Sequence, residues 1–167
     1  MPAAERIETP RLVLRRLAPD DLGAYERLGV EEARREVEEA DEHWARHGFG
    51  PYAVCDAETG ALLGALELHF AGEGIGGIDP AEVEIGWAVA AYRRGTGIAT
   101  EAARAVVEHA FAALAPEHLV AYIRPENAAS LRIAAKLGMR DDGPGTTRSG
   151  HPMRIFRLPR PTTIEGL

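Results

Sequence analysis

The alternation of apolar and polar positions predicts a strand, two helices and three further strands in the first half of the chain. A strand is expected over "RLVLRRL", which follows Pro10. A short helix capped by Asp20 should end near Gly29, and a highly charged second helix should cover 31–46. "YAVCDAETGALLGALELHF" indicates a hairpin around an "ETG" turn, and "AEVEIGWAVA" indicates the next strand.

The second half alternates helices with strands. Its strongest helical pattern runs from Gly97 to about Leu114, where one face carries Ile98, Ala102, Val106 and Ala110. "HLVAYI" predicts a strand, "NAASLRIAAKLG" a helix that ends at Gly138, and "HPMRIFRL" a last strand. This order predicts a single α/β (α+β) domain over residues 1–167, antiparallel in its first half and with helical crossovers in its second.

Composition narrows the classes of function. The 167 residues are 46% apolar and 27% charged, as in ordinary globular proteins, and the net charge of -7 argues against nucleic-acid binding. No apolar run could cross a membrane, and the N-terminus has no signal-peptide features. The one cysteine, Cys55, lies in an apolar run and is expected to be buried and inert, which favours a cytoplasmic protein. His43 and His47 lack a third metal ligand, so no metal is expected.

Two glycine-rich stretches compete for a phosphate-binding role. "GEGIGG" (72–77) matches the dinucleotide fingerprint, but a strand rather than a helix follows it, so we interpret it as a connecting loop. "RRGTGIATEAARAV" does open a helix, whose free N–H groups can bind an anion that Gly95 and Gly97 allow to approach. The residues alone leave two readings open, a phosphate site and a plain strand-to-helix turn.

A family resemblance favours the phosphate site. "RGTGIA" (94–99) resembles the R/Q-x-x-G-x-G/A pyrophosphate loop of the GNAT superfamily of N-acetyltransferases. "EIGWAV" resembles the central strand that precedes this loop, and "NAASLRIAAKLGM" resembles a segment of the ribosomal-protein-alanine acetyltransferase branch. "ETPRLVLRRLAPDDL" resembles the first strand and helix start of that branch, so the resemblance runs from about Thr9 to Leu158.

The resemblance implies a GNAT fold: a mixed, mostly antiparallel twisted sheet of six to seven strands with about four flanking helices. It implies an N-acetyltransferase that uses acetyl-CoA as cosubstrate, needs no metal and moves the acetyl group directly to a primary amine. A homodimer is common in this branch. The alternative is a non-catalytic acyl-CoA-binding or sensor domain of the same fold.

The acceptor stays open at this point: a protein N-terminus, an amino acid, a polyamine or an aminoglycoside. The acidic stretch "EEARREVEEADEH" indicates either a solvated helix face or a rim that attracts cationic amines, and the two are compatible.

The resemblance also assigns the cofactor contacts. The end of the central strand would pair with the pantetheine arm through Trp87, Ala88 and Val89, and an N–H near Val89 would face the acetyl oxygen. Asn127 would contact the same arm, cap its own helix, or do both. The pyrophosphate would be bound by backbone N–H groups of Arg94, Gly95, Thr96, Gly97, Ile98, Ala99 and Thr100.

Acetyl transfer to an amine needs a base and a group that receives the thiolate. Glu84, on the central strand, is our first choice of base, followed by Glu67 and Glu82; a solvent-facing role is the alternative for Glu84 and Glu67. Many members of the superfamily use a tyrosine for the thiolate, but Ala134 stands at that position here. The resembling branch suggests the Ser130 hydroxyl instead, which could equally be an ordinary serine of the helix surface.

Overall fold

The computed structural model describes residues 3 to 162, which build an open, mostly antiparallel sheet. Within these residues the sheet has nine strands, in the order β1-β2-β3-β4-β6-β7-β9-β8-β5, and only β6 and β7 are parallel neighbours. The strands are β1 (Arg6–Glu8), β2 (Leu12–Arg16), β3 (Tyr52–Asp56), β4 (Leu62–Phe70), β5 (Ile75–Gly76), β6 (Val83–Val89), β7 (His118–Ile123), β8 (Arg140–Thr147) and β9 (Pro152–Pro159).

The predicted α/β class is confirmed, but the predicted count of six to seven strands is too low. The two strands beyond that count are β1, with three residues, and β5, with two. Such short segments cannot display an alternation of apolar and polar positions, so their pairing with β2 and β8 could not be predicted from pattern.

Four α-helices flank the sheet in the described chain, as predicted: α1 (Leu22–Arg27), α2 (Ala33–His47), α3 (Ile98–Ala113) and α4 (Ala128–Lys136). Helix α2 ends at Gly48, which adopts the left-handed conformation at φ 73°. The predicted apolar stripe of α3 is confirmed, since Ile98, Ala102, Val106 and Ala110 are all buried.

Side chains on the two faces of the sheet build separate cores. The larger core joins α3 and α4 to one face, which includes Leu66 and Leu68 of β4 and Ile85 of β6. On the other face α1 and α2 cover a smaller core that contains Cys55 and Ala65. Cys55 is therefore buried as predicted, and burial raises the pKa of its thiol.

The residue before α1 is Asp21 rather than the predicted Asp20, and its side chain makes no capping bond to that helix. The carboxylate of Asp21, rather than that of Asp20, accepts the N–H of Ala18 at 3.0 Å. Asp21 also binds the guanidinium of Arg15 in a bidentate pair, at 2.7 and 2.9 Å. A short 3-10 turn (Pro19–Asp21) therefore precedes the helix.

The "GEGIGG" stretch connects β4 to β6 and contains the two residues of β5. Strand β6, not a helix, follows it, so our interpretation of the stretch as a strand connection is confirmed. Between residues 3 and 162, no helix combines the length and the apolar character needed to cross a membrane.

Candidate active site

The sheet opens where its two parallel strands diverge. Strands β6 and β7 are paired only at Val83–Leu119 and Glu84–Val120. Beyond these pairs β7 stays bonded to β9 and β6 stays bonded to β4, so the facing edges of β6 and β7 are unpaired toward their C-terminal ends. A free strand edge offers N–H and C=O groups to an extended ligand, much as it would to another strand.

A cavity of about 470 Å³ adjoins this opening. Its walls are the end of β6, the loop that follows, the first turn of α3 and one face of α4. Ten of the eleven residues predicted to bind the cofactor line it, namely Trp87, Ala88, Val89, Arg94, Gly95, Gly97, Ile98, Ala99, Thr100 and Asn127. Thr96 does not line it, because its hydroxyl donates to the Arg93 carbonyl.

The loop ends at a helix N-terminus with free donors. Gly95 and Gly97 adopt φ values of 76° and 81°, which side chains other than glycine rarely allow. The N–H of Glu101 bonds to the Gly97 carbonyl at 3.0 Å. The N–H groups just before it, those of Ile98 to Thr100, have no partner within the helix, and these residues line the cavity.

Contacts from residues near the N-terminus hold this loop. We call the group formed by Thr9, Arg11 and Glu101 the brace. The Arg11 guanidinium donates to the Thr96 carbonyl at 2.8 Å and to the Glu101 carboxylate at 2.7 Å. Thr9 donates its hydroxyl to the same carboxylate at 2.6 Å. Although partial burial opposes ionisation of Glu101, these hydrogen bonds lower its pKa, so the brace is ionised at neutral pH.

Helix α4 presents a serine hydroxyl to the cavity. Asn127 caps the helix, since its side-chain oxygen accepts the N–H of Ser130 at 3.1 Å. The Trp87 indole donates to the Ser130 hydroxyl oxygen at 3.3 Å. Because a hydroxyl has one donor and two acceptor positions, Ser130 keeps its proton available for a group in the cavity. Ala134, at the position of the superfamily tyrosine, is fully buried in the larger core.

Two basic side chains at the cavity were missed by the sequence reasoning, Arg132 and Lys136; Arg93, which with Arg94 was expected to add charge to the loop, lines the cavity as well. Arg132 and Lys136 follow Ala129 at intervals of three and four, and this helical spacing on the face of Ser130 is the signal that could have identified them. Arg93 is also paired with Asp56 at 3.1 Å, which fixes the start of the loop against β3.

Glu84 and Glu67, the first two candidates for the base, lie away from the cavity lining, on the opposite face of the sheet from α3. The register pairs Glu84 with His69, and Glu67 with Gly86, so the three charged side chains share this face. Glu84 is only 7% exposed, and burial raises its pKa to about 7, despite the opposing charge of His69. Burial disfavours the charged His69, but its bond to Glu67 and the charge of Glu84 outweigh this and raise its pKa to about 9.

Glu82, the third candidate, has the opposite environment. Although partial burial opposes its ionisation, hydrogen bonds from Arg157 and His118 lower its pKa to about 2. Arg157 contacts both carboxylate oxygens, at 2.8 and 3.0 Å. Glu82 therefore joins β9 to the start of β6 as an ion pair and is a poor proton acceptor.

His43 and His47 lie in an aromatic cluster with Phe49 and Phe70. Both ring nitrogens of His43 are engaged, one with the Phe49 carbonyl and the other with the N–H of Phe70. Over residues 3–162, no group of three or more His, Cys, Asp or Glu side chains is arranged to hold a metal ion.

Known proteins are similar to this chain in part of their sequence and in their fold. A segment of 60 residues is 38% identical to the uncharacterised N-acetyltransferase YnaD of Bacillus subtilis (strain 168), and it covers 36% of this chain and 35% of that protein. A structure from Bordetella pertussis that is assigned to the GNAT family of acetyltransferases is 25% identical, with a TM-score of 0.80 over 92% of this chain and 99% of that one.

A more distant structure shares the fold alone. The ribosomal-protein-S5-alanine acetyltransferase of Vibrio fischeri is 14% identical, with a TM-score of 0.73 over 93% of this chain and 96% of that one. The family described as the acetyltransferase (GNAT) domain matches residues 11–140, a range that contains β2, the glycine loop and all of α4. With that match over most of its length, the chain belongs to the GNAT family of acetyltransferases.

Proposed function

We propose that this protein is an acetyl-CoA-dependent N-acetyltransferase that moves the acetyl group directly to a primary amine. The observation that carries the proposal is the cavity between β6 and α4, where a free strand edge, a helix N-terminus and a serine hydroxyl converge. Acetyl-CoA supplies the acetyl group as a thioester. Its extended pantetheine arm and its phosphates match a strand edge and a basic helix start, respectively.

The residues of the loop and of α4 would hold the cofactor. Backbone N–H groups at the start of α3 would bind the pyrophosphate, and Arg94, Arg132 and Lys136 would add positive charge around it. The unpaired edge from Trp87 to Val89 would hold the pantetheine arm, with an N–H near Val89 directed at the acetyl oxygen. That N–H would stabilise the negative charge that develops on the oxygen during transfer.

Glu84 would accept the proton of the attacking amine. A carboxylate with a pKa of about 7 is half-ionised at neutral pH, which is the balance that a general base needs. Glu84 precedes Ala88 by four residues, or roughly 13 Å along an extended strand, so it would work through water. Glu67, on the same face and 31% exposed, is the second candidate for this role.

Ser130 would donate its proton to the departing thiolate. Its hydroxyl oxygen is occupied as an acceptor by the Trp87 indole, which leaves the O–H free to point into the cavity. The "NAASLRIAAKLGM" segment that supplies Ser130 is also our reason for placing the chain near the ribosomal-protein-alanine acetyltransferase branch. That placement does not determine the acceptor.

The test is release of free CoA thiol from acetyl-CoA in the presence of a panel of primary amines. We expect amine-dependent thiol release that falls at least about a hundredfold in Glu84→Gln, and about tenfold or more in Ser130→Ala. The matched control is Ser149→Ala, which removes an exposed serine at the β8–β9 turn and should retain full activity. Acetyl-CoA binding without transfer to any amine would instead support a sensor domain.

A further inference from the structure

The face of the sheet that carries Glu84 also carries a polar strip between two apolar clusters. One apolar cluster on this face lies beneath α1 and α2 and includes Ala65 of β4. The other lies beneath the connection between β4 and β6 and includes Val120 of β7. Between them lie the side chains of Glu67, His69 and Glu84, which with Glu36 of α2 we call the acidic strip.

The acidic strip is open to solvent and leads to the cofactor cavity. The side chains of Glu67 and His69 are 31% and 27% exposed. Gly86, opposite Glu67, contributes no side chain, and a Cβ there would come within 3.4 Å of the Glu67 Cβ. Ala88 follows two residues later on the same face and lines the cavity, so a molecule lying along the strip reaches the place where the acetyl group is expected.

The strip is electrostatically negative. Its three carboxylates and one imidazolium carry two net negative charges when all are ionised. Burial raises the pKa of Glu36 and of Glu84, and the negative charge of Glu67 raises both further, so Glu67 interacts with each of the other two carboxylates. Tyr25 donates its hydroxyl to Glu36 at 2.6 Å, which fixes that carboxylate at the edge of the strip.

Glu84 gives independent reason to expect a ligand here. It is more than nine-tenths buried, yet its carboxylate makes no hydrogen bond to any residue between 3 and 162. In the described chain, every fully enclosed side-chain nitrogen or oxygen has a hydrogen-bond partner. The Glu84 oxygens, which have none, must therefore retain some contact with solvent. Burial disfavours the ionised carboxylate, and a donor that arrives from solvent or with a ligand offsets that cost at the exposed oxygens.

Resting on the proposed function, we propose that the acidic strip selects an acceptor with two cationic groups: an alkyl diamine, one amine of which is acetylated while the other remains an ammonium ion. Glu67 and Ala88 are diagonal neighbours, about 7–8 Å apart at their Cα atoms, a span that suits a short diamine between the strip and the expected acetyl position. The attacking nitrogen forms the new bond to the acetyl carbon as the carbon–sulfur bond breaks. The amine proton passes through water to Glu84, and the thiolate takes a proton from Ser130, which regains one from water.

The second ammonium group is expected to lie between Glu36 and Glu67, where its bonds to carboxylates are charge-assisted. A carboxylate at that position would be repelled by the strip. An ω-amino acid, which carries its carboxylate at the far end of the chain, is therefore a disfavoured acceptor.

The experiment compares kcat/KM for three primary amines of matched length: 1,4-diaminobutane, pentylamine and 5-aminopentanoate. They place an ammonium, a methyl and a carboxylate group, respectively, at the far end of the chain. We expect the diamine to exceed pentylamine by about tenfold or more, the amino acid to be the poorest, and the preference to weaken as salt is added.

Glu36→Gln keeps an acceptor for the Tyr25 hydroxyl but removes one charge of the strip, and we expect the ratio of diamine to pentylamine turnover to fall about tenfold. Glu38→Gln removes the same charge from an exposed position of α2 and should leave that ratio unchanged. Circular dichroism verifies that both variants fold. If pentylamine or 5-aminopentanoate is turned over as well as 1,4-diaminobutane or better, the inference is overturned and the proposed function still stands. Failure of every amine to release thiol would overturn both.

Discussion

Glu82 and Glu84 are two residues apart at the start of β6, and we predict that replacing each by glutamine changes stability in opposite directions. Glu84 is buried without a hydrogen-bond partner in the described chain, and its pKa is raised to about 7 from 4.5. Glu82 is bound by Arg157 and His118, and its pKa is lowered to about 2 from 4.5. Glutamine keeps the shape of each side chain and removes only the charge.

The magnitudes follow from linkage between proton binding and folding. A raised pKa means that the folded state favours the protonated form of Glu84, so its contribution to stability is complete below about pH 4.5 and is lost as the pH rises through 7. By about pH 8, ionised Glu84 costs the folded protein about 3 kcal/mol. Glu82 has the opposite pH dependence. Its ionised form stabilises the fold by about 3 kcal/mol above pH 4.5, and this stabilisation is lost as the pH falls toward 2.

The assay is urea unfolding of the protein and both variants at about pH 5 and about pH 8. At pH 8 we expect Glu84→Gln to raise the free energy of unfolding by about 3 kcal/mol, and at pH 5 by less than about 1 kcal/mol. Glu82→Gln should lower it by about 3 kcal/mol at pH 8. Destabilisation by Glu84→Gln at pH 8, or a gain that does not depend on pH, would refute the idea that Glu84 is a strained, desolvated carboxylate.

Three further predictions concern the loop, its brace and the base. Gly97→Ala forces a left-handed φ on alanine and should cost about 1–2 kcal/mol of stability, and Gly60→Ala, at a similar φ, should cost the same. Only Gly97→Ala should weaken acetyl-CoA binding in calorimetry. Equal affinities of the two variants for acetyl-CoA would contradict the loop assignment. Arg11→Ala removes the bond to the Thr96 carbonyl and should raise the KM for acetyl-CoA about tenfold with little change in kcat. Arg6→Ala, which breaks an exposed ion pair, should change neither constant. A loss confined to kcat would contradict the role of Arg11 in holding the loop. The rate of transfer should rise with pH through an inflection near 7 as Glu84 ionises, and a profile flat from pH 5 to 9 would exclude that residue as the base.

The elements that pattern predicts well are those with several repeats of one period. Helix α3 offers four buried positions at intervals of four, and β4 alternates Leu66 and Leu68 against Glu67, so both elements and their faces could be predicted. The alternation also predicts the face of Glu84 within β6 and of Glu67 within β4, but only the pairing register of the two strands shows that these side chains share one face of the sheet.

What could not be predicted depends on partners that are distant in sequence. Arg11 and Glu101 are separated by 90 positions, and nothing local indicates that they meet behind the glycine loop. Glu82 and Glu84 have similar local sequences, and only the arrival of Arg157, 75 positions away, makes one an ion pair and leaves the other a candidate base. Asp21, rather than the predicted Asp20, precedes α1, and its carboxylate binds Arg15 instead of capping the helix.

The central claim is that the cavity between β6 and α4 holds acetyl-CoA through the loop that begins at Arg94. Isothermal titration calorimetry with acetyl-CoA tests it most directly, on the intact protein and on Gly97→Trp, which fills the space before the first turn of α3. We predict one binding site per chain in the intact protein and a loss of affinity of at least about a hundredfold in the variant. An intact, folded protein that shows no binding, or a variant that binds as tightly as the parent, would contradict the account.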